Sequence, residues 1–595
     1  MVRRFLITTA DERTWRFDRP ALFLGEWCRL YGRRSVWENL DSEVVPYHWD
    51  DRSKLYRDYL YLKDLYEKLL TDLSEALNQF HGVKHSKRYW RTLVGPWLGY
   101  FTQMLFDRWT MIQQAVHNFQ IGGSAMLALT PERAIPNDMN DFIAKFVDDP
   151  WNSFIYGQIL TNWTDVPCRQ VGVQESQTAG MNLFPVETPK RSFFRRFKSG
   201  IARKMFGTSF LSRQTDAVFI SSYLPLLTDF RLQVSLGQVP KRWKSPAVPL
   251  TRPDLREREF LILMKPGQEG FEHCVRSLIP KQIPTSYLEG FGQLLEIVNT
   301  LPWPQRPKVI FTSNSHKGDD VFKAWGATKV ENGAPLIIGQ HGGHAGAGLW
   351  FFNEKHEMAI ADRYLTWGWH DGNEKHHPTG SLKLMGIRAT EWNRNGGILL
   401  VTGVGPRYSY HMYSSVVASQ QLDYFQDQFR FVAALPDRLK TMLFVRLSPI
   451  DFGWAEALRW KDRYPNVRLA PGAKPMKALI RKSRIFVATY NGTTFLETLG
   501  QNIPTIMFWN PTYWELRPSA KPYFDQLKQV GIFHESPESA ATKIAEVWDD
   551  VAGWWRQPEI QEARRYFCDR FVRMPEKPIR VLRAALTTVG NNKKS

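Results

Sequence analysis

Short apolar runs alternate with segments of helical spacing along most of this chain, the pattern of a parallel sheet covered by helices on both faces. The first run, Phe5-Leu6-Ile7, closes on Thr8-Thr9-Ala10 and reads as a buried strand ending in small hydroxyl residues. From about Asp51 to Phe119 the period changes. Leu55, Tyr59, Leu62, Leu65, Leu69 and Leu73 recur every three or four positions, which predicts a helical insertion over about 51–120. Prolines, basic residues and polar turns predict loops over about 185–253. Strand and helix then resume with a strand at 259–264, a helix at 290–300 and strands at 308–312 and 335–339. After the turn Asn393-Arg394-Asn395-Gly396-Gly397 a second series follows, with strands at 398–402, 441–445, 484–488 and 504–508. The series predict two Rossmann-like lobes, an acceptor-side lobe over 1–395 and a nucleotide-binding lobe over 396–560, with a helix and basic tail over 561–595. No solenoid repeat is visible.

Composition narrows the class. With 43% hydrophobic and 14% aromatic residues over 595 positions, the chain is not of a disordered type. No run of about 18 apolar residues is present, and Met1 to Ala10 carries Arg3 and Arg4 without a signal-length apolar segment, so a cytoplasmic location is expected. Cys28, Cys168, Cys274 and Cys568 lack metal-ligand spacing and are expected to be free thiols. A net charge of +19 implies an acidic partner. Its densest part is Lys190-Arg191-Ser192-Phe193-Phe194-Arg195-Arg196-Phe197-Lys198, followed by Arg203 and Lys204. Phenylalanines among cations suit contact with an anionic membrane surface as well as they suit a solvated face. No zinc finger, RRM or helix-turn-helix signature accompanies the charge, so nucleic acid is not an expected partner.

In an open parallel sheet ligands bind beyond the carboxyl ends of the strands, so the residues just after each apolar run carry the chemistry. After 484–488 comes Thr489-Tyr490-Asn491-Gly492-Thr493-Thr494-Phe495-Leu496-Glu497, a turn opening a helix. Asn491, Gly492, Thr493 and Thr494 offer amides and hydroxyls to a phosphate, and Glu497 could accept from ribose hydroxyls. An ordinary helix cap reads the same way. After 441–445 come Arg446-Leu447-Ser448-Pro449, where Arg446 can grip a phosphate bidentately. Gly403-Val404-Gly405-Pro406-Arg407 allows close backbone approach with Arg407 as a charge, or is a simple tight turn. Gly339-Gln340-His341-Gly342-Gly343-His344 follows 335–339 and places His341 and His344 where either could move a proton or steady a leaving phosphate. Structural loop histidines are the alternative. Their spacing lacks a third ligand for zinc, and no metal site is expected.

The hydroxyl-rich turn, the helix bearing Glu497, Gly500-Gln501-Asn502-Ile503-Pro504 and the strand after it are similar to the donor-nucleotide site of GT-B glycosyltransferases of the capsule and sialic-acid type. Arg446 and Ser448 stand where that resemblance would place Lys and His. Phe23-Leu24-Gly25-Glu26-Trp27-Cys28, Tyr47-His48-Trp49-Asp50-Asp51-Arg52, Gly95-Pro96-Trp97-Leu98, Thr312-Ser313-Asn314-Ser315 and Gly339-Gln340-His341-Gly342-Gly343 together resemble a family of transferases from O-antigen and capsule gene clusters, along nearly the whole chain. The resemblance implies a GT-B-like α/β fold, two Rossmann-like lobes facing across a cleft with a helical insertion in the N-terminal lobe. It implies a glycosyltransferase that moves a sugar from a nucleotide-sugar donor, with a CMP-activated acidic sugar as one candidate, to a lipid-linked or growing surface glycan at the inner membrane face. Glu26, Asp50 and Asp51 are then candidates for acceptor contact or a general base, with a structural role as the alternative. With no Asp-x-Asp at a strand end, activity in chelator is expected. A glycerol- or ribitol-phosphate transferase and a non-catalytic glycan- or membrane-binding scaffold are the alternatives.

Overall fold

In the computed structural model, residues 3–172, 212–470 and 474–587 are described. Apolar runs too short to form amphipathic helices become strands, most of them buried but Ser42–Val44, Cys168–Gly172 and Arg468–Ala470 largely open at sheet edges, and they assemble into three parallel sheets. The first has order β3-β2-β1-β4-β5, from β1 (Arg4–Ile7), β2 (Ala21–Phe23), β3 (Ser42–Val44), β4 (Ile121–Ala128) and β5 (Cys168–Gly172). The second runs β10-β9-β8-β7-β6, from β6 (Val218–Ile220), β7 (Ile310–Thr312), β8 (Leu336–Gly339), β9 (Arg363–Thr366) and β10 (His376–Pro378). The third has β11 (Gly397–Val401), β12 (Leu443–Arg446), β13 (Arg468–Ala470), β14 (Ser483–Ala488), β15 (Thr505–Phe508) and β16 (Phe533–His534) in the order β13-β12-β11-β14-β15-β16. That order reverses direction between β11 and β14, the Rossmann arrangement that opens a crevice at the carboxyl ends of those two strands.

The span 1–395 therefore holds two Rossmann-like sheets where one was expected. The strands that make up the difference are three to eight residues long, and several lie in segments whose polar neighbours hide them from periodicity. Within 185–253, expected as loops, β6 and the helix Leu226–Ser235 form. The expected strand at 259–264 does not form. Its apolar residues run without a partner strand, Leu261 and Leu263 buried and Phe260 and Ile262 exposed. The helical insertion consists of Arg52–His81, Lys87–Leu93 and Gly95–Asn118. Asp51 accepts from the Lys54 amide at the start of the first, and Gly82 closes it in the left-handed region at φ 64°.

One core cluster joins the first sheet, the helical insertion and one face of the second sheet, while a second fills the third sheet and its helices. The helix Pro578–Thr587 returns to the second sheet, where Leu582, Ala585 and Leu586 pack on Phe219, Phe311 and Ile337. The returning strand of chain passes so close to Gly380 that a Cβ there would lie 2.5 Å from the Arg573 carbonyl oxygen, and φ is 112°. All four cysteines are unpaired. Among the described residues no helix is long and apolar enough to cross a membrane. The basic run from Lys190 to Lys204 lies outside the described residues.

Candidate active site between two strand ends

A cleft of about 360 Å³ opens where the third sheet reverses direction. Thr402, Gly403 and Gly405 enter it from the end of β11, Arg446 and Ser448 from β12, and Tyr490, Asn491, Gly492 and Thr493 from β14. Its opposite wall is Gly342, Gly343 and His344, which follow β8 of the second sheet. Four segments singled out by their positions after apolar runs thus meet in one place. Contact between the walls is close. The Gly343 amide donates to the Thr493 hydroxyl at 3.1 Å, and a Cβ on Gly343 would lie 2.4 Å from the Gly492 carbonyl oxygen.

Asn491 is the most informative residue of the wall formed by the third sheet. Its carboxamide is buried, yet neither its oxygen nor its nitrogen has a hydrogen-bond partner. A buried amide in that state costs free energy that a bound polar ligand would recover. The helix behind it, Thr494–Gly500, is only seven residues long, so its macrodipole adds little field at this wall of the cleft. Thr494 and Glu497 stand beyond the lining. The Thr494 hydroxyl lies 3.4 Å from that of Tyr490, and Glu497 faces Lys383, which follows β10 of the second sheet, at 3.4 Å. The glycine loop after β11 offers less than its spacing suggested, because the Gly403 amide donates to the Tyr424 hydroxyl at 2.8 Å and the Gly405 amide to Gln421 Oε1 at 3.0 Å.

The two histidines separate. His344 is buried against Gly348 and stands edge-on to Phe351 and Tyr413, with ring centroids 5.2 and 5.5 Å away. Burial lowers its pKa to about 4, partly offset by the Trp350 carbonyl, so it is neutral at pH 7. His341 turns instead to the second sheet, its Nδ1 3.4 Å from Glu357 Oε1. Burial lowers His341 to about 4 as well, against the raising effect of Glu357. Glu357 also accepts from the Tyr364 hydroxyl at 2.8 Å and lies 3.1 Å from His316 Nε2. Burial alone would raise its carboxyl, but His316, His341 and Tyr364 hold it below the usual carboxylate range. An ionised Glu357 favours the tautomer of His341 that carries the proton on Nδ1 and leaves Nε2 as the basic nitrogen.

Charge of the opposite sign stands beside this pair. Lys317 lies with its ammonium 5.5 Å from the Tyr100 ring centre, and although burial works against its charge, Tyr100 and Glu357 hold its pKa above the ordinary lysine value. Lys383 sits over Tyr223, whose ring centre is 6.1 Å from that of His341. Ser221 and Tyr223, just past β6, have φ of 47° and 60°. Non-glycine residues in that region store strain, which concentrates at functional sites.

Arg407 is a correction. It does not line the cleft. Its guanidinium is buried against Asp149 at 2.6 Å and also donates to the Phe452 carbonyl at 3.0 Å and to the Trp27 carbonyl, tying the third sheet to the first. Its attraction to Asp149 outweighs any role at the neighbouring glycine turn. The acidic candidates also have partners of their own, Glu26 with Arg29 at 3.0 Å and Asp50 accepting from the distant Gln420 at 3.2 Å, while Asp51 caps its helix.

A buried carboxyl beside the cleft escaped the sequence reading. Glu456 neighbours Thr402 and Ser448, and burial, reinforced by Asp451, pushes its pKa up from 4.5 to about 8. It is therefore protonated at neutral pH. A carboxyl raised in this way is harmless to the fold below its ordinary pKa; above about 4.5 the unfolded chain ionises while the folded one keeps its proton, so stability falls as pH rises and levels off once pH passes the folded value of about 8. Glu456→Gln, which has no proton to lose, should match the parent near pH 4 and exceed it increasingly up to about pH 8, by several kcal/mol, with little further change to pH 9. Thermal unfolding across that range checks this, and a pH-independent difference would refute it. Tyr413, Gln421, Tyr424 and Trp514 also line the cleft without a local signal. Their only sequence trait is aromatic or amide character, shared with many core residues.

A family model described as "LIC12162 family transferase" matches residues 4–586. Among solved structures the chain is similar to one described as "Crystal Structure Analysis of the Glycotransferase of kitacinnamycin", at 14% identity and a TM-score of 0.31, covering 64% of this chain and 98% of that one. No curated protein matches.

Proposed function

The chain belongs to the LIC12162 family of transferases, and on that premise we propose that it is a glycosyltransferase whose nucleotide-sugar donor occupies the cleft between the second and third sheets. The observation that carries this reading is the buried, unpartnered carboxamide of Asn491 at the point where the third sheet reverses direction. Arg446 would hold the donor phosphate, Thr493 and Asn491 would bind its polar groups, and Lys317 and Lys383 would add positive charge on the far wall. This set suits a leaving phosphate without a metal ion.

In the proposed reaction an acceptor hydroxyl on a surface glycan loses its proton to His341 Nε2, while Glu357 holds the opposite ring nitrogen. The acceptor oxygen bonds to the anomeric carbon, the bond from that carbon to the donor phosphate breaks, and the leaving phosphate keeps the electron pair beside Arg446. A CMP-activated acidic sugar is one candidate donor, and its acid would meet the lysines.

The test is a thermal-shift and calorimetric screen of the full chain against CMP, CDP, UDP, GDP and TDP, each with and without EDTA. Stabilisation by CMP, insensitive to chelator and lost in Asn491→Leu and in Arg446→Ala, is the expected outcome. A UDP or GDP preference would keep the site and change the donor. A response to none of the nucleotides would overturn the reading in favour of a scaffold.

A further inference from the structure

After the short helix Leu255–Arg258 the chain crosses the surface in a run of five apolar residues. Leu261 and Leu263 face inward, whereas Phe260 and Ile262 are 76% and 73% exposed. Leu250, 91% exposed, precedes that helix, and Leu255, 53% exposed, opens it. Beneath the run is an apolar groove of about 610 Å³, walled by Leu129, Ile135, Phe154 and Pro280. Isolated exposed apolar side chains are ordinary, but a protruding set over an apolar groove marks a contact surface.

Charge says what the surface meets. Residues 241–264 carry six cations, Lys241, Arg242, Lys244, Arg252, Arg256 and Arg258, against three acids, Asp254, Glu257 and Glu259. Arg242, Lys244, Arg252 and Arg256 are exposed, and Lys281 at the groove is exposed too. Asp254 is engaged in capping the helix, accepting from the Arg256 and Glu257 amides. Deeper in, Arg258 and Arg276 are paired with Glu289 and Asp72 at 2.6 and 2.7 Å, so the buried charges are balanced and the outer excess is positive. Protruding apolar groups on a stretch of chain with an excess of exposed cations, and with Lys281 at the groove itself, match a fluid anionic interface, which accepts each side chain without a preformed pocket.

We propose that this face, led by Leu250, Phe260 and Ile262, docks the protein on an anionic lipid bilayer. The proposal is independent of the transfer chemistry, and its experiment needs no turnover. The full chain is floated with phosphatidylcholine vesicles, with and without phosphatidylglycerol, at low and high salt. Association with the anionic vesicles, weakened by salt, is expected. F260S/I262S should reduce partitioning roughly tenfold to a hundredfold, with an unchanged thermal transition because both side chains are exposed. F260W/I262W should bind as tightly as the parent or more so, a result that misfolding cannot mimic. Equal binding to neutral vesicles, no binding at all, or parent-like binding by F260S/I262S would overturn the proposal. Retention by F260S/I262S with loss on neutralising the cations between Lys190 and Lys204 would place membrane contact there instead.

Discussion

Arg407→Met should destabilise the protein by about 3–5 kcal/mol, the cost of leaving one member of a buried ion pair without its partner. Asp149 would retain only the Ala10 amide at 3.1 Å and the Tyr408 hydroxyl as donors in a place sealed from water. Burial acts to strip the charge from Arg407, and Asp149 holds it protonated, so the two depend on each other. Urea unfolding followed by intrinsic fluorescence measures the loss. The double variant D149N/R407M should be less damaged than the sum of its parts, because no uncompensated charge remains. Since the pair joins the first sheet to the third, the single variant is also expected to split one unfolding transition into two. A loss below about 1 kcal/mol, the size of a solvent-exposed pair, would show that the contact does not weld the sheets.

The second large effect is kinetic. His341→Ala should lower kcat by about 10²- to 10⁴-fold, the usual worth of a positioned general base, with little change in donor KM. Glu357 acts through His341, so it is a positioning residue, and Glu357→Gln should lower kcat less while moving the pH profile. The sign follows from its charge. Glu357 raises the His341 pKa, which lies at about 4, so its removal weakens the base and shifts the acidic limb of kcat/KM to lower pH. Arg446→Ala should do the reverse in kinetics, raising donor KM by roughly tenfold to a hundredfold as a charged hydrogen bond is lost. Equal damage to kcat and KM in all three variants would argue for a structural defect and against these separate roles.

Much of the cleft could be read from the chain because strand ends in a parallel sheet are marked locally. An apolar run followed by small, hydroxyl or glycine residues places Asn491, Thr493, Arg446, Gly343 and His344 at carboxyl edges, and the fold brings those edges together. Arg407 obeys the same local rule yet stands outside the cleft. The rule sees a charge after a strand but not Asp149, which is 258 positions away and takes that charge. The same blindness hid Glu357, since a glutamate within the helix Phe352–Ile360 looks like any solvated helical carboxylate until His316, His341 and Tyr364 surround it.

The sequence by itself determined the parallel α/β class, the helical insertion after Asp51 and the second series of strands after 395, because hydrophobic periodicity and helix caps act over a few residues. Only the tertiary structure decided that the first 395 residues hold two sheets, that 259–264 forms no strand, and which histidine faces a carboxylate. Those outcomes depend on pairing partners, burial and charge neighbours brought from distant parts of the chain. Such neighbours set the dielectric around each group, and with it whether a glutamate, a histidine or an arginine is charged, spent or free to act.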